Sequence, residues 1–278
     1  MKARTGPPPE SGADEITGED AGDLSSSNRD YVNALARGLE VIKVFTRFTP
    51  KMTLSEVAQA TGMTRATVRR FLLTLAHEGY VEISGKHFSL RPKILQLGFS
   101  ALSSMDLWDV VQPVMNDLSE GLSESCFAAV LDDESVIYVA RATPNNRRVN
   151  VGISIGSRVP AHCVSTGRVL LAALPEEQVH RYIENMTLTK FTPNTITSKV
   201  QLRGVLDEVR RQGWSIVDQE LEVGLRSLSV PIRDGSDQIV AALNVCCPST
   251  RISLEEMKTR ILAITLEASR NITLALHC

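Results

Sequence analysis

Two clusters of side chains in this sequence have the types and spacing that recognise ligands. The first is Thr64, Arg65, Ala66, Thr67, Arg69 and Arg70. Guanidinium forks and hydroxyls donate to phosphate oxygens and to base edges in a DNA major groove. Arg70 is best placed for a base edge because it stands opposite the apolar Val68 and Leu72. Thr64 is placed as helix cap and phosphate donor. Lys86, beside His87 in a Gly-containing turn, is a candidate wing contact to phosphate or the minor groove. A helical hairpin with solvated arginines would carry the same pattern.

The second cluster is His162, Ser165, Thr166 and Gly167, where a loop enters a helix opened by Gly167 and Arg168. Free backbone N–H groups at a helix start attract an anion, and hydroxyls and imidazole add directional bonds. Arg141 ends a strand and can turn its guanidinium toward such a site. The acidic, Gly-containing stretch Glu220, Glu222 to Ser227 is placed to close the other side, with its carboxylates orienting the loop or pairing with arginines. His162 beside Cys163 also admits a thiol nucleophile. That makes a thiol-dependent small-molecule oxidoreductase the alternative, although sequence neighbours seldom aim at each other and no third orienting group is evident.

Position depends on the elements. Leu54, Val57 and Ala58 form one apolar stripe and Val68, Phe71, Leu72 and Leu75 a second, with Gly62 at the turn between them. This predicts two short packed helices. A first helix is expected from Tyr31 to Phe48, with Leu35, Leu39, Ile42 and Phe45 on its apolar face and Pro50 as its stop. Alternating runs around Ser84-Gly85-Lys86-His87 predict a β-hairpin, completing a winged helix-turn-helix. Beyond Pro92 a helical joint is expected. After it come a helix over 110–122, strands at 125–131 and 135–141, another at 148–155, and helices over 166–174 and 176–186. A helix over 200–212, strands at 214–219, 228–232 and 238–246, and a closing helix over 253–276 capped by Ser253 follow. An antiparallel sheet flanked by helices is an α+β architecture.

Composition narrows the function. The 278 residues carry a net charge of −2, but unevenly. Residues 1–28 hold two bases against six acids, residues 29–92 ten against five, and residues 93–278 eighteen against twenty-one. The basic excess falls on the helix pair and hairpin, which points to nucleic acid. No apolar run reaches the ~18 residues of a membrane span. The five cysteines have no CxxC spacing, and the adjacent Cys246 and Cys247 of one strand point to opposite faces. No metal, no cofactor and a cytoplasmic protein with reduced thiols are expected.

Three blocks in order resemble the IclR family of bacterial transcriptional regulators. They are Leu54-Ser55-Glu56-Val57-Ala58 with Ala76-His77-Glu78-Gly79-Tyr80-Val81, the run 156–172 from Gly156-Ser157-Arg158 to Leu171-Ala172, and the run 213–232 from Gly213-Trp214 to Pro231-Ile232. The first block and Tyr138-Val139-Ala140-Arg141 look closest to the branch controlling protocatechuate, β-ketoadipate and hydroxybenzoate catabolism. The chain departs from the family pattern at Arg168, usually lysine, and Ser227, often cysteine. The resemblance implies a winged helix-turn-helix domain and a GAF-like effector domain, assembled as dimers or tetramers. The organisation expected is a disordered tail 1–28, a DNA-binding domain 29–91, a linker helix 92–105 and an effector domain 106–278. The expected function is regulation of transcription in response to a small carboxylated aromatic metabolite or ring-cleavage product, without enzymatic activity. Double-stranded operator DNA, that carboxylate, further copies of the chain and RNA polymerase are the expected partners, and a membrane is not.

Overall fold

A computed structural model describes residues 31–46, 48–97, 107–145 and 152–276. The chain forms two compact units, residues 1–99 and 100–278. In the first, helix α1 (Asn33–Lys43) precedes strand β1 (Met52–Thr53), helix α2 (Leu54–Thr61), helix α3 (Arg65–His77) and the hairpin β2 (Val81–Ser84) and β3 (His87–Leu90). Thr53 and Glu56 form a reciprocal capping box at the start of α2. Gly62 ends α2 with φ of 67°, the left-handed value that glycine adopts without a Cβ clash. Thr64 caps α3 by accepting from the Thr67 N–H at 3.3 Å. Val41, Val57, Val68, Leu72 and Val81 make the dry centre of this unit. Truncating Val68 or Leu72 removes packing of the kind worth about 2–5 kcal/mol for a large aliphatic side chain.

Three expectations for this unit change. The first helix ends at Lys43, not Phe48. Thr49 Oγ1 donates to the Val44 carbonyl at 3.0 Å and its N–H bonds back to Thr46, a local turn that competes with helix before Pro50 is reached. Its apolar face does not lie where the stripe put it. Leu35 and Leu39 are 64% and 45% exposed, while Val41 is fully buried. The wing also has a third strand, because β1 pairs with β3 through Met52–Phe88 and Thr53–His87. Pro92–Ile94 makes a 3₁₀ turn running into helix at 95–97. The rest of the expected joint, and the tail 1–28, lie outside the described residues.

The second unit is a six-stranded antiparallel sheet in the order β6-β5-β4-β9-β8-β7. Its strands are β4 (Ser125–Asp132), β5 (Ser135–Ala142), β6 (Arg158–Pro160), β7 (Ser215–Asp218), β8 (Leu225–Arg233) and β9 (Ile239–Pro248). One face packs on helix α4 (Leu107–Leu122) and on the closing helix α8 (254–275), through Met115, Leu118, Leu228, Leu243, Met257 and Ile261. The other packs on α5 (Ser165–Ala173), α6 (Glu176–Asn185) and α7 (Lys199–Gln212), through Phe127, Tyr138, Leu171, Leu202 and Leu206. The period-2 alternation of β9 serves both layers. Cys247 belongs to the α4–α8 core and Cys246 to the α5–α7 core, on opposite faces as expected.

Ser253 caps α8 by accepting from the Glu256 N–H, and a π-helical turn at Met257–Ile261 interrupts that helix. The strand expected at 148–155 is corrected where it can be seen. Residues 152–155 carry no strand, and the edge strand is instead β6, paired with β5. Residues 148–151 lie outside the described set. The bulge between Ala128 and Ala129, which oppose Ala140 and Tyr138, shifts the register of β5 against β4 by one residue. It brings Tyr138 and Arg141 to the α5 face together.

Candidate functional site

On α3 the candidate DNA-contacting residues fall on the side away from the core. Arg65, Ala66, Arg69 and Arg70 are exposed, Thr67 is half-buried, and Val68 and Leu72 turn inward. Thr64 and Thr67 share a hydroxyl–hydroxyl bond of 2.9 Å, so both are tied to the helix start. Lys86 is exposed at the wing tip, where Gly85 takes φ of 62°. None of these arginines has an ion-pair partner among the described residues. The face offers uncommitted donors on a capped, rigid helix, which is what a phosphate-lined groove requires.

The second candidate site is built around the start of α5. The turn Ala161–Cys163 packs directly on that helix, and Gly167 permits it. A Cβ there would stand 2.1 Å from the Ala161 carbonyl oxygen and 2.4 Å from its Cα. Gly167 is therefore a packing residue in this geometry. Val164 occupies the N-cap position and supplies no side-chain cap, leaving the first N–H groups of α5 uncapped by any side chain. Thr166 Oγ1 is buried there with no hydrogen-bond partner among the described residues.

Ser165 turns sideways instead of capping. Its hydroxyl donates to Ser227 at 2.9 Å, shares a 2.8 Å bond with Ser229 and accepts from Asn244 Nδ2 at 3.0 Å. The Asn244 amide also reaches Ser229 and the Leu228 carbonyl. This polar knot welds α5 to β8 and β9 inside an otherwise apolar layer. Alternation in β8 puts Ser227 and Ser229 on this face, a period-2 signal visible in the sequence. Asn244 stands out as the amide within an apolar run.

Arg168 and Glu220 are buried and paired, with Nη2 2.7 Å from Oε2. Arg168 Nε also donates to the His162 carbonyl at 2.9 Å, and the Ile196 N–H donates to the same Glu220 oxygen at 3.0 Å. The guanidinium fork at position 168 thus holds a carboxylate of its own chain. His162 is fully buried. Because the Thr189 carbonyl can only accept, the 3.2 Å contact places the hydrogen on Nε2 and leaves Nδ1 without a partner. Burial lowers the His162 pKa, so the ring is neutral at neutral pH. Arg141 lies 5.7 Å over the Phe127 ring and donates to the Ile153 carbonyl and the Thr143 hydroxyl.

Tyr138, Ile153, Cys163, Val164, Leu221 and Leu225, together with Glu220, Glu222 and Ser227, enclose a small cavity. Its free space is about 10 Å³, room for about one water. Of the candidate effector residues, Glu220, Glu222 and Ser227 line it directly, and Ser165 joins it through Ser227. Arg141 joins it only through Ile153. His162 faces Thr189 and Phe191 instead. Cys163 lines the cavity but is no nucleophile. It is fully buried, its Sγ donates to the Pro160 carbonyl, and burial pushes its pKa up to about 12. No group of three His, Cys, Asp or Glu side chains able to hold a metal occurs among the described residues, and no helix among them is long and apolar enough to cross a membrane.

A winged helix-turn-helix and a helix-flanked antiparallel sheet unit with a small buried cavity, in one chain, define the class of effector-responsive DNA-binding regulators. Residues 34–84 match the IclR helix-turn-helix domain and residues 99–274 the C-terminal domain of bacterial transcriptional regulators of the IclR type. The chain belongs to the IclR family of transcriptional regulators. It is 40% identical to the Pca regulon regulatory protein of Pseudomonas putida, over 87% of this chain and 84% of that protein. A solved structure of a transcriptional regulator from Rhodococcus sp. RHA1 is 44% identical, with a TM-score of 0.78 over 88% of this chain and 98% of that one. The inducer-binding domain of the Acinetobacter PobR transcription factor, solved as a double mutant with 3-hydroxybenzoic acid, is 30% identical. Its TM-score is 0.57 over 59% of this chain and 96% of that one. All three relatives are regulators, and the thiol-enzyme alternative finds no support.

Proposed function

We propose that this protein binds operator DNA as a symmetric assembly and releases or re-engages it in response to a hydroxylated aromatic acid or its ring-cleavage product. The observation that carries the reading is the nearly closed cavity between the uncapped start of α5 and the loop 220–227. A benzoate-sized molecule does not fit about 10 Å³, so binding requires that loop to move. A ligand that needs the open arrangement shifts the population toward it. The Ser227 hydroxyl and the uncapped N–H groups of Ser165, Thr166 and Gly167 suit a carboxylate. Arg141 and His162 contribute from behind Ile153 and Thr189, and Glu220 and Glu222 shape the loop. The 3-hydroxybenzoic acid of the PobR domain and the Pca assignment of the Pseudomonas relative support an aromatic-acid effector.

In the first unit, Arg65, Ala66, Thr67, Arg69 and Arg70 face the major groove, with Thr64 and Lys86 on phosphate. A dimer, or a tetramer of two such dimers, would set two copies of α3 about one helical turn apart on a palindrome. The organisation proposed is a tail 1–28, a DNA-binding domain 29–91, a linker helix 92–105 and an effector domain 106–278, acting in the cytoplasm with RNA polymerase as the downstream partner.

The test is calorimetric titration of 4-hydroxybenzoate, 3-hydroxybenzoate, protocatechuate and β-ketoadipate into the wild type and Arg141→Ala, paired with DNA binding to a duplex selected from random sequence. At least one acid should bind and change the DNA affinity. Absence of binding by all four would sink the effector class, and unchanged affinity in Arg141→Ala would remove Arg141 from the site. If Arg70→Ala weakens selected and random DNA equally, Arg70 touches phosphate and not a base.

A further inference from the structure

We propose that the acidic N-terminal segment, residues 1–28, docks on the basic groove between α1 and α3 and there competes with DNA. The inference rests on the reading of Thr67 and Arg70 as DNA contacts and extends it to regulation of that surface. A groove of about 430 Å³ runs between the two helices, with Asn33 and Arg37 on one wall and Thr67, Arg70 and Phe71 on the other. Arg37 and Arg70 are exposed, and neither has an ion-pair partner among the described residues. The groove therefore presents two uncommitted guanidinium groups around an aromatic floor, a surface suited to an acidic chain.

The sequence supplies that chain at the groove itself. Asn33 is a wall residue and also the first residue of α1, so the preceding segment enters beside Arg37. That segment carries Glu10, Asp14, Glu15, Glu19, Asp20 and Asp23 against Lys2 and Arg4. Asp23 and Glu19 lie ten and fourteen residues ahead of Asn33. Ten to fourteen residues can span at most about 33–50 Å, enough to reach the groove, and short tethers give local concentrations on the order of millimolar. Carboxylates held at that concentration next to exposed arginines form a weak, reversible complex. On the reading above DNA needs Thr67 and Arg70 of the same groove, so the tail lowers apparent DNA affinity by its fractional occupancy of it. Both partners are surface charges, which makes the effect salt-dependent.

The experiment uses the full-length chain. Neutralising all six acids (Glu10→Gln, Asp14→Asn, Glu15→Gln, Glu19→Gln, Asp20→Asn, Asp23→Asn) should tighten binding to a selected duplex about 3- to 10-fold at 50 mM salt and less than 2-fold at 500 mM. In an Arg37→Ala background the gain should fall to less than half. An unchanged affinity on neutralisation overturns the proposal. So does a gain of equal size in the Arg37→Ala background, because general repulsion between tail and DNA would not depend on the groove. Arg70→Ala measured alongside separates this from the underlying reading. If that change leaves DNA affinity intact, the assignment of α3 fails. If Arg70 is required and neutralisation has no effect, only the docking fails.

Discussion

Arg168 and Glu220 stand 52 positions apart in the chain, yet their side chains meet at 2.7 Å with 3% and 8% of their surfaces exposed. A buried pair of this kind contributes little net stability over an apolar equivalent, but losing one partner strands a charge at a cost of about 3–5 kcal/mol. Glu220→Gln is therefore expected to lower the free energy of unfolding by several kcal/mol in urea titration. Replacing both residues together, Arg168→Met with Glu220→Leu, should recover most of that loss. A double variant as unstable as the single one would show that the pair does more than balance charge.

Gly167 offers a sharper test of how α5 is seated. A Cβ would have to share space with the Ala161 backbone at 2.1 Å, and backbone cannot swing aside as a side-chain tip can. Gly167→Ala should cost about 2 kcal/mol or more, a fall of roughly 4–8 °C in melting temperature for a unit of this size. Ala would otherwise favour a helix over Gly, so an unchanged melting temperature would mean that the turn 161–163 moves away freely. Effector affinity should fall in parallel, since that turn supplies Cys163 and leads into Val164 at the cavity wall.

Much of this was legible in the residues, and the failures have physical causes. Helices and strands with strong periodicity appear where expected, because burial of one face is encoded in the 3.6 and 2 residue repeats. The α1 stripe misled because periodicity records that a face is apolar, not what covers it. Leu35 and Leu39 remain exposed in the single chain. At the effector site, Arg141 and His162 have the chemistry of an anion site, but the fold gives both to neighbouring carbonyls. Glu220, Glu222 and Ser227 line the cavity because the loop that carries them faces α5. Tyr138 and Ile153 carried no local mark. The loop that holds Glu220 from behind, through Thr192 and Thr195, joins residues far apart in the chain and is invisible to any local pattern.

Glu124 makes stability depend on pH. Its side chain is buried where α4 meets β4 and pairs with Arg251, yet burial outweighs the partner and raises its pKa from 4.5 to about 7. The folded protein then binds a proton more tightly than the unfolded chain between those values. Stability from this group is fully present below about pH 4.5 and is lost as pH rises through about 7. A difference of this size corresponds to a few kcal/mol at most. Urea unfolding at pH 5 and pH 8 should show the wild type losing stability relative to Glu124→Gln as pH increases. Parallel behaviour of the two proteins would assign the pH dependence elsewhere.

Thr195 should control how readily the effector loop moves. Its hydroxyl donates to the Glu220 carbonyl at 2.6 Å and accepts the N–H groups of Phe191 and Thr192 at 3.0 and 2.8 Å. Thr192 Oγ1 adds a 2.6 Å bond to the Gln219 carbonyl. Together they pin residues 219–220 at the base of the loop that must open for a ligand. Thr195→Val keeps the shape but removes the donor and leaves two N–H groups without their acceptor, a loss of about 1–3 kcal/mol for each group left buried and unsatisfied. Releasing these contacts weakens the closed, ligand-excluding arrangement and so lowers the cost of the opening that binding requires. The variant is expected to bind the effector roughly 5- to 20-fold more tightly, mainly through faster association. Stopped-flow association of a hydroxybenzoate checks this. An unaltered on-rate would show that the loop moves as a rigid flap about residues 222–224, with its base never released.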